Sequence, residues 1–576
     1  MNTIPRPEHP MPQWERESWL NLNGKWEFDF DLGRSARDRR LYESTTPLSR
    51  TINVPFCPES VLSGIGYTDF IPSVCYRRRF ELTEGQLDGR VLLHFGAVDH
   101  DAYVYVNGAL AGIHTGGYTS FSFDITPLVC AGENVLFVSA DDDNRDGRQA
   151  SGKQSTLYHS HDCSYTRTTG IWQTVWLEFT PKSYIKAAKY YPDIHNSALT
   201  IIGETSGGGT LDIRSRFMGR DTGCCTVKTC GGTFTAQLKL SELHLWELGR
   251  GDLYDLELHF GDDVVRSYFG MREVRMDGMR FLLNGRSVFQ RLVLDQGFYP
   301  DGVYTASSDA ALLHDVELSM AAGFNGARLH EKVFEPRFLY HCDRRGYMVW
   351  GEYPNWNFDH NDLRATERFL PCWLESVTRD FNHPSIIGWC PFNETWGYSE
   401  KLAYNKLLST VYNCTKLYDT TRPVIDTSGN YHMVTDIYDV HDYDQDPVSF
   451  KAHYDRLATD GELYDQVNES NRSGLLQQHY AGEPVFVSEY GGIRWDTTGK
   501  AGWGYGVAPK NAGEFLARFK GLTDALLDNP KLMGLCYTQL YDVEQELNGL
   551  YTYEREPKFD PDIFRSTLSR KAAIED

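Results

Sequence analysis

The 576-residue sequence has no apolar run approaching the roughly 20 residues of a membrane span, and no apolar stretch follows the basic residue near its start. A membrane protein and a secretory leader are therefore not expected, and a reducing cytoplasmic location is the default. Paired cysteine spacing is also missing. The 12 Cys are scattered and Cys224 adjoins Cys225, which disfavours both a zinc site and a disulfide framework. Nor is there a basic surplus: 57 Lys and Arg stand against 79 Asp and Glu, a net charge of −22 that excludes nucleic acid and anionic membrane as main partners. Low-complexity segments and short repeats are absent as well. What is abundant is aromatic surface, with 34 Tyr and 13 Trp, whose flat faces and polar tips suit carbohydrate sites and sandwich cores equally.

The length predicts about three domains. Across 1–182, short alternating stretches such as Val91-Leu92-Leu93-His94-Phe95 and Ala102-Tyr103-Val104-Tyr105-Val106 are separated by Gly, Asn and Asp turns, the grammar of an antiparallel sandwich. A second β-rich series over 183–276 reads as an immunoglobulin-like module, with glycine-rich turns expected at Gly207-Gly208-Gly209 and Gly231-Gly232. From 277 to 576 helical periodicity alternates with short apolar strands, which predicts an (α/β)₈ barrel. Ser308 and Gly323 bracket one helix as caps, and Pro336 and Gly346 bracket another.

Polar residues follow several of the apolar barrel strands, on the face where such barrels build active sites. Asn393-Glu394 follows Trp389-Cys390-Pro391-Phe392, and Glu489 follows Val485-Phe486-Val487-Ser488. A single strand-end Glu is usually a surface charge. Two of them on separate parallel strands can converge on one bond, and glycoside hydrolysis needs such a pair, one to protonate the leaving oxygen and one to trap the oxocarbenium-like centre.

These segments resemble glycoside hydrolase family 2 over nearly the whole chain. The resemblance is carried by Leu22-Asn23-Gly24-Lys25-Trp26, Gly116-Gly117-Tyr118-Thr119-Ser120-Phe121, Gly170-Ile171-Trp172-Gln173, Phe281-Leu282-Leu283-Asn284-Gly285, Gly323-Phe324-Asn325-Gly326-Ala327-Arg328, Asn393-Glu394 and Ser488-Glu489-Tyr490-Gly491-Gly492. It implies a jelly-roll sugar-binding domain, an immunoglobulin-like sandwich and a TIM barrel, and a retaining exo-β-glycosidase. By matching position, Glu394 would be the acid/base and Glu489 the nucleophile. Asn393 would bind the hydroxyl beside the reacting carbon, Arg328 would keep Glu489 ionised, and Tyr443 would touch it. His441 and Asp442 share the Tyr443 loop, and Trp396 would supply a stacking wall. Tyr537 stands where many members place a barrel-floor Trp, and Asp162 resembles the acid by which the jelly roll reaches the barrel.

Departures from the family bear on the sugar. Asp295 and, in the Arg328-Leu329-His330-Glu331 segment, His330 and Glu331 replace the usual residues, and the Asn-x-Lys uronate reader is not evident after Gly492, although Lys500 and Lys510 lie nearby. A uronate needs a positioned cation. With Asp295, Glu331, Asp442 and Asp162 expected at the entrance, a neutral sugar is expected, β-galactoside first. The alternatives are a β-glucuronide or galacturonide, β-glucoside, β-mannoside or α-L-arabinopyranoside, a transglycosidase, or a non-catalytic carbohydrate-binding protein. No cofactor and no metal are assigned, the partner is a glycoside, and a homo-oligomer is compatible.

Overall fold

The computed structural model describes residues 4–395, 402–429, 431–464, 478–497, 499 and 501–575. In the N-terminal part, antiparallel ladders form a four-stranded and a six-stranded sheet. They enclose a core in which Trp26, Phe28, Val104, Val138 and Leu177 are buried. The strand Asp101–Val106 alternates half-buried and buried positions, because successive side chains of a strand point to opposite faces.

The middle module is a five-stranded antiparallel sheet dominated by two long paired strands, Ala198–Phe217 and Arg220–Lys239. Here one expectation is corrected. Glycines 207–209 and 231–232 are not turns but lie inside these strands, where the register shifts between Thr205 and Gly208. Gly231 and Gly232 take φ of 93° and 79°, so the glycines let a continuous hairpin bend at an irregularity instead of reversing. The reversal itself is the two-residue loop Met218-Gly219, both residues at positive φ.

The C-terminal part is a barrel of parallel strands. In spatial order these are Ile386–Cys390, Met348–Glu352, Gly326–Leu329, Gln290–Asp295, Leu532–Thr538, Val485–Gly491 and Tyr438–Asp442. Between the first and last of these, the segment 424–428 pairs with the first through Trp389 with Val424 and Asn393 with Ser428, and touches the last through the Ser428 hydroxyl, which donates to Asp439 (2.6 Å). Ser308 caps the helix Asp309–Ala322 by accepting from the Ala311 amide, and Gly323 ends it at φ 100°. The next helix, Pro336–Arg345, begins with Pro336 in its first turn and no side-chain cap, and Gly346 ends it at φ 62°. The fold is thus, in chain order, a jelly-roll sandwich, an immunoglobulin-like module whose five strands form one sheet around the bent long hairpin, and a TIM barrel. Among the described residues no helix is long and apolar enough to cross a membrane.

Two sets of contacts lock the parts together. Buried Arg16 donates to Asp263 of the middle module (2.8 Å), Glu178 of the jelly roll (2.9 Å) and the Ile185 carbonyl (2.6 Å). More important for function, a jelly-roll loop reaches the mouth of the barrel. The Ser151 amide donates to the Trp356 carbonyl (3.1 Å), Asn357 Nδ2 donates to the Gln154 carbonyl (3.0 Å), and the Tyr165 hydroxyl donates to Glu546.

Candidate active site

The strand ends converge on one buried cluster. Arg328, at the end of Gly326–Leu329, is only 2% exposed, yet it has acceptors around much of its guanidinium. Its Nε donates to Glu352 Oε1 (2.5 Å), Nη1 to Glu489 Oε1 and the Ser488 carbonyl (both 3.0 Å), and Nη2 to Asn393 Oδ1 (3.0 Å). A planar fork with fixed donors can orient three residues from different strands at once, which a lysine cannot do. Glu489 receives a second bond, at Oε2, from the Tyr443 hydroxyl (2.5 Å), which also lies 3.1 Å from Thr538 Oγ1.

Glu394 sits just beyond its strand in a left-handed conformation, φ 48°, with its amide donating to the Ser428 carbonyl (2.7 Å). Its Oε1 lies 2.9 Å from His441 Nδ1, and the same nitrogen is 3.4 Å from Glu489 Oε2. The facing atoms of Glu394, His441 and Glu489 all fall within 4.8 Å of one another. The 2.9 Å contact is a hydrogen-bond length, and we assign no cation to the cluster. Asn393 is held by Asn355 through reciprocal bonds of 2.7 and 3.1 Å, while its buried Nδ2 has no partner among the described residues.

Two family models match this chain. The sugar binding domain of glycosyl hydrolases family 2 covers residues 20–181, and the TIM barrel domain of the same family covers 274–501. The chain belongs to glycoside hydrolase family 2. It is a glycoside hydrolase. It is 24% identical over 591 residues to a β-glucuronidase of Streptococcus agalactiae, covering 93% of this chain and 94% of that one. It is 27% identical over 344 residues to a β-galactosidase of Thermoanaerobacter pseudethanolicus, covering 54% of this chain and 44% of the relative. Among solved structures, a β-glucuronidase from an uncultured Clostridium superposes with TM-score 0.79 at 21% identity over 96% of this chain and 98% of its own. A β-galacturonidase from Eisenbergiella tayi, bound to galacturonate, superposes with TM-score 0.75 at 20% identity over 99% and 100%. At these identities the two superpositions speak for the fold alone.

Within this family 2 chain, charge is arranged asymmetrically. Burial by itself would raise the Glu394 pKa, but the hydrogen bond and charge of His441 outweigh it and pull it below the usual carboxylate value. Burial likewise works against protonated His441, and the charge of Glu489 and the bond to Glu394 overcome it, raising its pKa. His330, bonded to Glu352 at 3.3 Å, is pushed well below the ordinary imidazole value, chiefly by burial, and is neutral.

Several expected site residues lie elsewhere. Asp295 is turned into the barrel wall, where it accepts from the Gly297 amide (2.9 Å) and Tyr541 (2.5 Å). Burial lifts its pKa to about 6. Asp442 points away from the site to His453 (2.8 Å) and Tyr454 (3.0 Å), because adjacent strand residues face opposite ways and His441 takes the inward position. Glu331 is also buried, accepting from the Asn355 and Trp356 amides (2.9 and 3.1 Å), with burial lifting its pKa to about 8. Tyr537 packs outward against Phe519 of a helix (5.1 Å between centroids), and its successor Thr538 faces Tyr443. Asp162 does sit where the jelly roll meets the barrel, but its backbone carbonyl makes the contacts, accepting from Trp503 and Gln545. Trp396 and Lys500 lie outside the described residues.

The structure also brings in residues that sequence reasoning missed. Glu352 ends a strand that was itself legible, so the strand-end rule could have nominated it. Tyr505 stacks on Tyr443 at 3.4 Å, and Glu546 joins the rim through Tyr165. Lys153 had no signal at all. It rides the jelly-roll loop into the barrel mouth, where its ammonium lies 3.7 Å over the Trp356 ring and within electrostatic range of Glu394, Glu489 and Glu546. No hydrogen-bond or ion-pair partner holds it among the described residues, although it is only 6% exposed.

Proposed function

We propose that the protein is a retaining exo-β-glycosidase acting by double displacement, with Glu489 as nucleophile and Glu394 as acid/base. The observation that carries this reading is the short spacing of the two carboxylates, whose facing oxygens lie within 4.8 Å. Nearest oxygens this close fit the about 5–5.5 Å separation of carboxyl groups that direct attack uses better than the about 6.5–9.5 Å by which an inverting pair admits a water. Arg328 and Tyr443 each donate to one oxygen of Glu489, which fixes its direction of attack. The unpartnered Asn393 Nδ2 is available to the hydroxyl next to the reacting carbon. Proton NMR of the first-formed product should show the β anomer. Glu489→Gln should abolish turnover while leaving the fold intact; a first-formed α anomer, or full activity in that variant, would sink the assignment.

For the sugar, the case for a neutral hexose rested on acceptor carboxylates at the entrance and on the lack of a positioned cation. Asp295 and Asp442 are in the wall, and Lys153 is in the mouth. A uronide is therefore the sugar class we favour, with the Lys153 ammonium as reader of its carboxylate. A β-galactoside is the second reading, supported by the carboxylates that already surround that ammonium. The p-nitrophenyl β-glucuronide, β-galacturonide, β-galactoside and β-glucoside, assayed on wild type and Lys153→Met, separate them. Under the uronide reading the variant loses about 30-fold or more on the uronide alone, the 2 kcal/mol or more expected for an interaction with an otherwise unpaired buried charge. Wild-type preference for a neutral substrate would reject it.

A further inference from the structure

Resting on the double-displacement reading above, we propose that His441 is a positioning residue that stores the catalytic proton, so that the acid of this enzyme is the Glu394–His441 pair and not Glu394 alone. The argument begins on the far side of the imidazole. Its Nε2 lies 2.9 Å from Ser428 Oγ, and that hydroxyl lies 2.6 Å from Asp439 Oδ2. A hydroxyl has one proton, and at 2.6 Å from a carboxylate it must point there. Asp439 is held ionised against the effect of its burial by His432, which donates to it and lies 2.8 Å from Asp426 on its other side. Ser428 is consequently an acceptor toward His441, and Nε2 carries a hydrogen.

With Nε2 protonated, neutral His441 would present a bare lone pair at Nδ1. That atom is 2.9 Å from Glu394 Oε1 and 3.4 Å from Glu489 Oε2. A lone pair facing a carboxylate at 2.9 Å is repulsive, so one proton lies between Nδ1 and Oε1. The groups facing His441 are the two glutamates, Arg328, His330, Ser428 with Asp439 behind it, and Lys153 across the mouth; the negative ones are nearest.

The proton balances through the cycle. In glycosylation it passes from Nδ1 to the Glu394 carboxyl and on to the departing oxygen, while the C1–O bond breaks with its electron pair on that oxygen and a Glu489 oxygen bonds to C1. In deglycosylation water attacks C1, Glu394 takes its proton and returns it to Nδ1, and Glu489 leaves as the carboxylate. The three groups carry a total charge of −1 before glycosylation and −1 in the glycosyl-enzyme, because the charge lost from Glu489 on esterification reappears on the deprotonated pair. The net charge buried in the site is therefore the same in both states, and the repulsion between the bare Nδ1 and the Glu394 carboxylate in the glycosyl-enzyme favours uptake of the water proton.

The test is the pH profile of kcat/KM for His441→Gln, with an aryl glycoside that needs acid assistance and one with a 2,4-dinitrophenyl leaving group. Glutamine can still donate to Glu394 but cannot titrate. The alkaline limb for the poor leaving group should move down by about one pH unit or more, and turnover of the activated substrate should be spared by comparison. Labelling of Glu489 by a 2-deoxy-2-fluoro aryl glycoside in both proteins checks the double displacement separately, so its failure is distinguishable from failure of the proton store. A limb that stays in place, with both substrates losing equally, would mean that His441 only holds the loop. Should His441→Gln not fold, Ser428→Ala removes the tautomer lock and keeps the imidazole; it should move the same limb in the same direction, and an unmoved limb again overturns the proposal.

Discussion

Arg328→Lys is the most demanding perturbation of this site, because it keeps the charge and removes the geometry. The guanidinium makes four side-chain or carbonyl contacts at 2.5–3.0 Å, to Glu352, Glu489, Ser488 and Asn393. An ammonium has three donors radiating from one point, and no single position can satisfy acceptors that the planar fork reaches from three sides. Keeping Glu489 and Glu352, the two carboxylates, leaves Asn393 and the Ser488 carbonyl without their donor. Hydrogen bonds to charged groups are worth about 1.5–3 kcal/mol each, so two lost contacts cost about 3–6 kcal/mol of site order. Misplacing an attacking atom by about 1 Å costs on the order of 100-fold. The expected result is a fall in kcat/KM of about 100- to 1,000-fold with a folded barrel. Arg328→Met should behave differently: removing the guanidinium from two buried carboxylates should cost about 3–5 kcal/mol of stability, read as a lower melting temperature. The assay is kcat/KM on an aryl glycoside beside thermal unfolding. If Arg328→Lys retained kcat/KM within about threefold of wild type, the fork geometry would not be what orders the site.

Asn393→Ala should lower kcat/KM by about 2–4 kcal/mol, on the order of 30- to 1,000-fold, and a 2-deoxy glycoside should erase the difference between variant and wild type, since the orphaned Nδ2 would then have no hydroxyl to bind. His432 has its pKa raised to about 10; burial opposes this, and the bonds and charges of Asp426 and Asp439 prevail. A raised folded value means that its stabilisation is complete below about pH 6.5 and fades as pH rises toward 10, so the melting temperature of wild type should fall over that window more steeply than that of His432→Gln. Tyr537→Phe should leave kcat/KM within about twofold of wild type and stability within about 1 kcal/mol, because the ring faces a helix and its buried hydroxyl has no partner of good geometry among the described residues; a large fall in kcat/KM would put it back in the sugar pocket.

The order of the three architectures, several barrel strands and the two glutamates were all legible in the chain, for one physical reason: each is written in a local period. Alternation with period two marked the sandwiches, and helical periodicity bracketed by Ser308, Gly323, Pro336 and Gly346 marked the barrel. The strand-end position then nominated Glu394 and Glu489. What local period does not encode is which way a side chain turns when neither face is solvent. His441 and Asp442 are adjacent, yet one enters the site and the other binds His453 behind it. Asp295 and Glu331 looked like entrance acceptors because carboxylates are usually exposed, and both are buried. The glycines of the long hairpin read as turns because glycine permits both a turn and a bulge, and only the pairing of Ala198–Phe217 with Arg220–Lys239 chose between them. Lys153 is the clearest case. Its place beside two barrel glutamates more than 200 residues away depends on a loop of one domain being clamped over the mouth of another, through Ser151, Gln154 and Tyr165, and such a contact leaves no mark on the sequence around it. Residue chemistry and local period determined what kind of site this is, and tertiary packing decided which charges face the sugar.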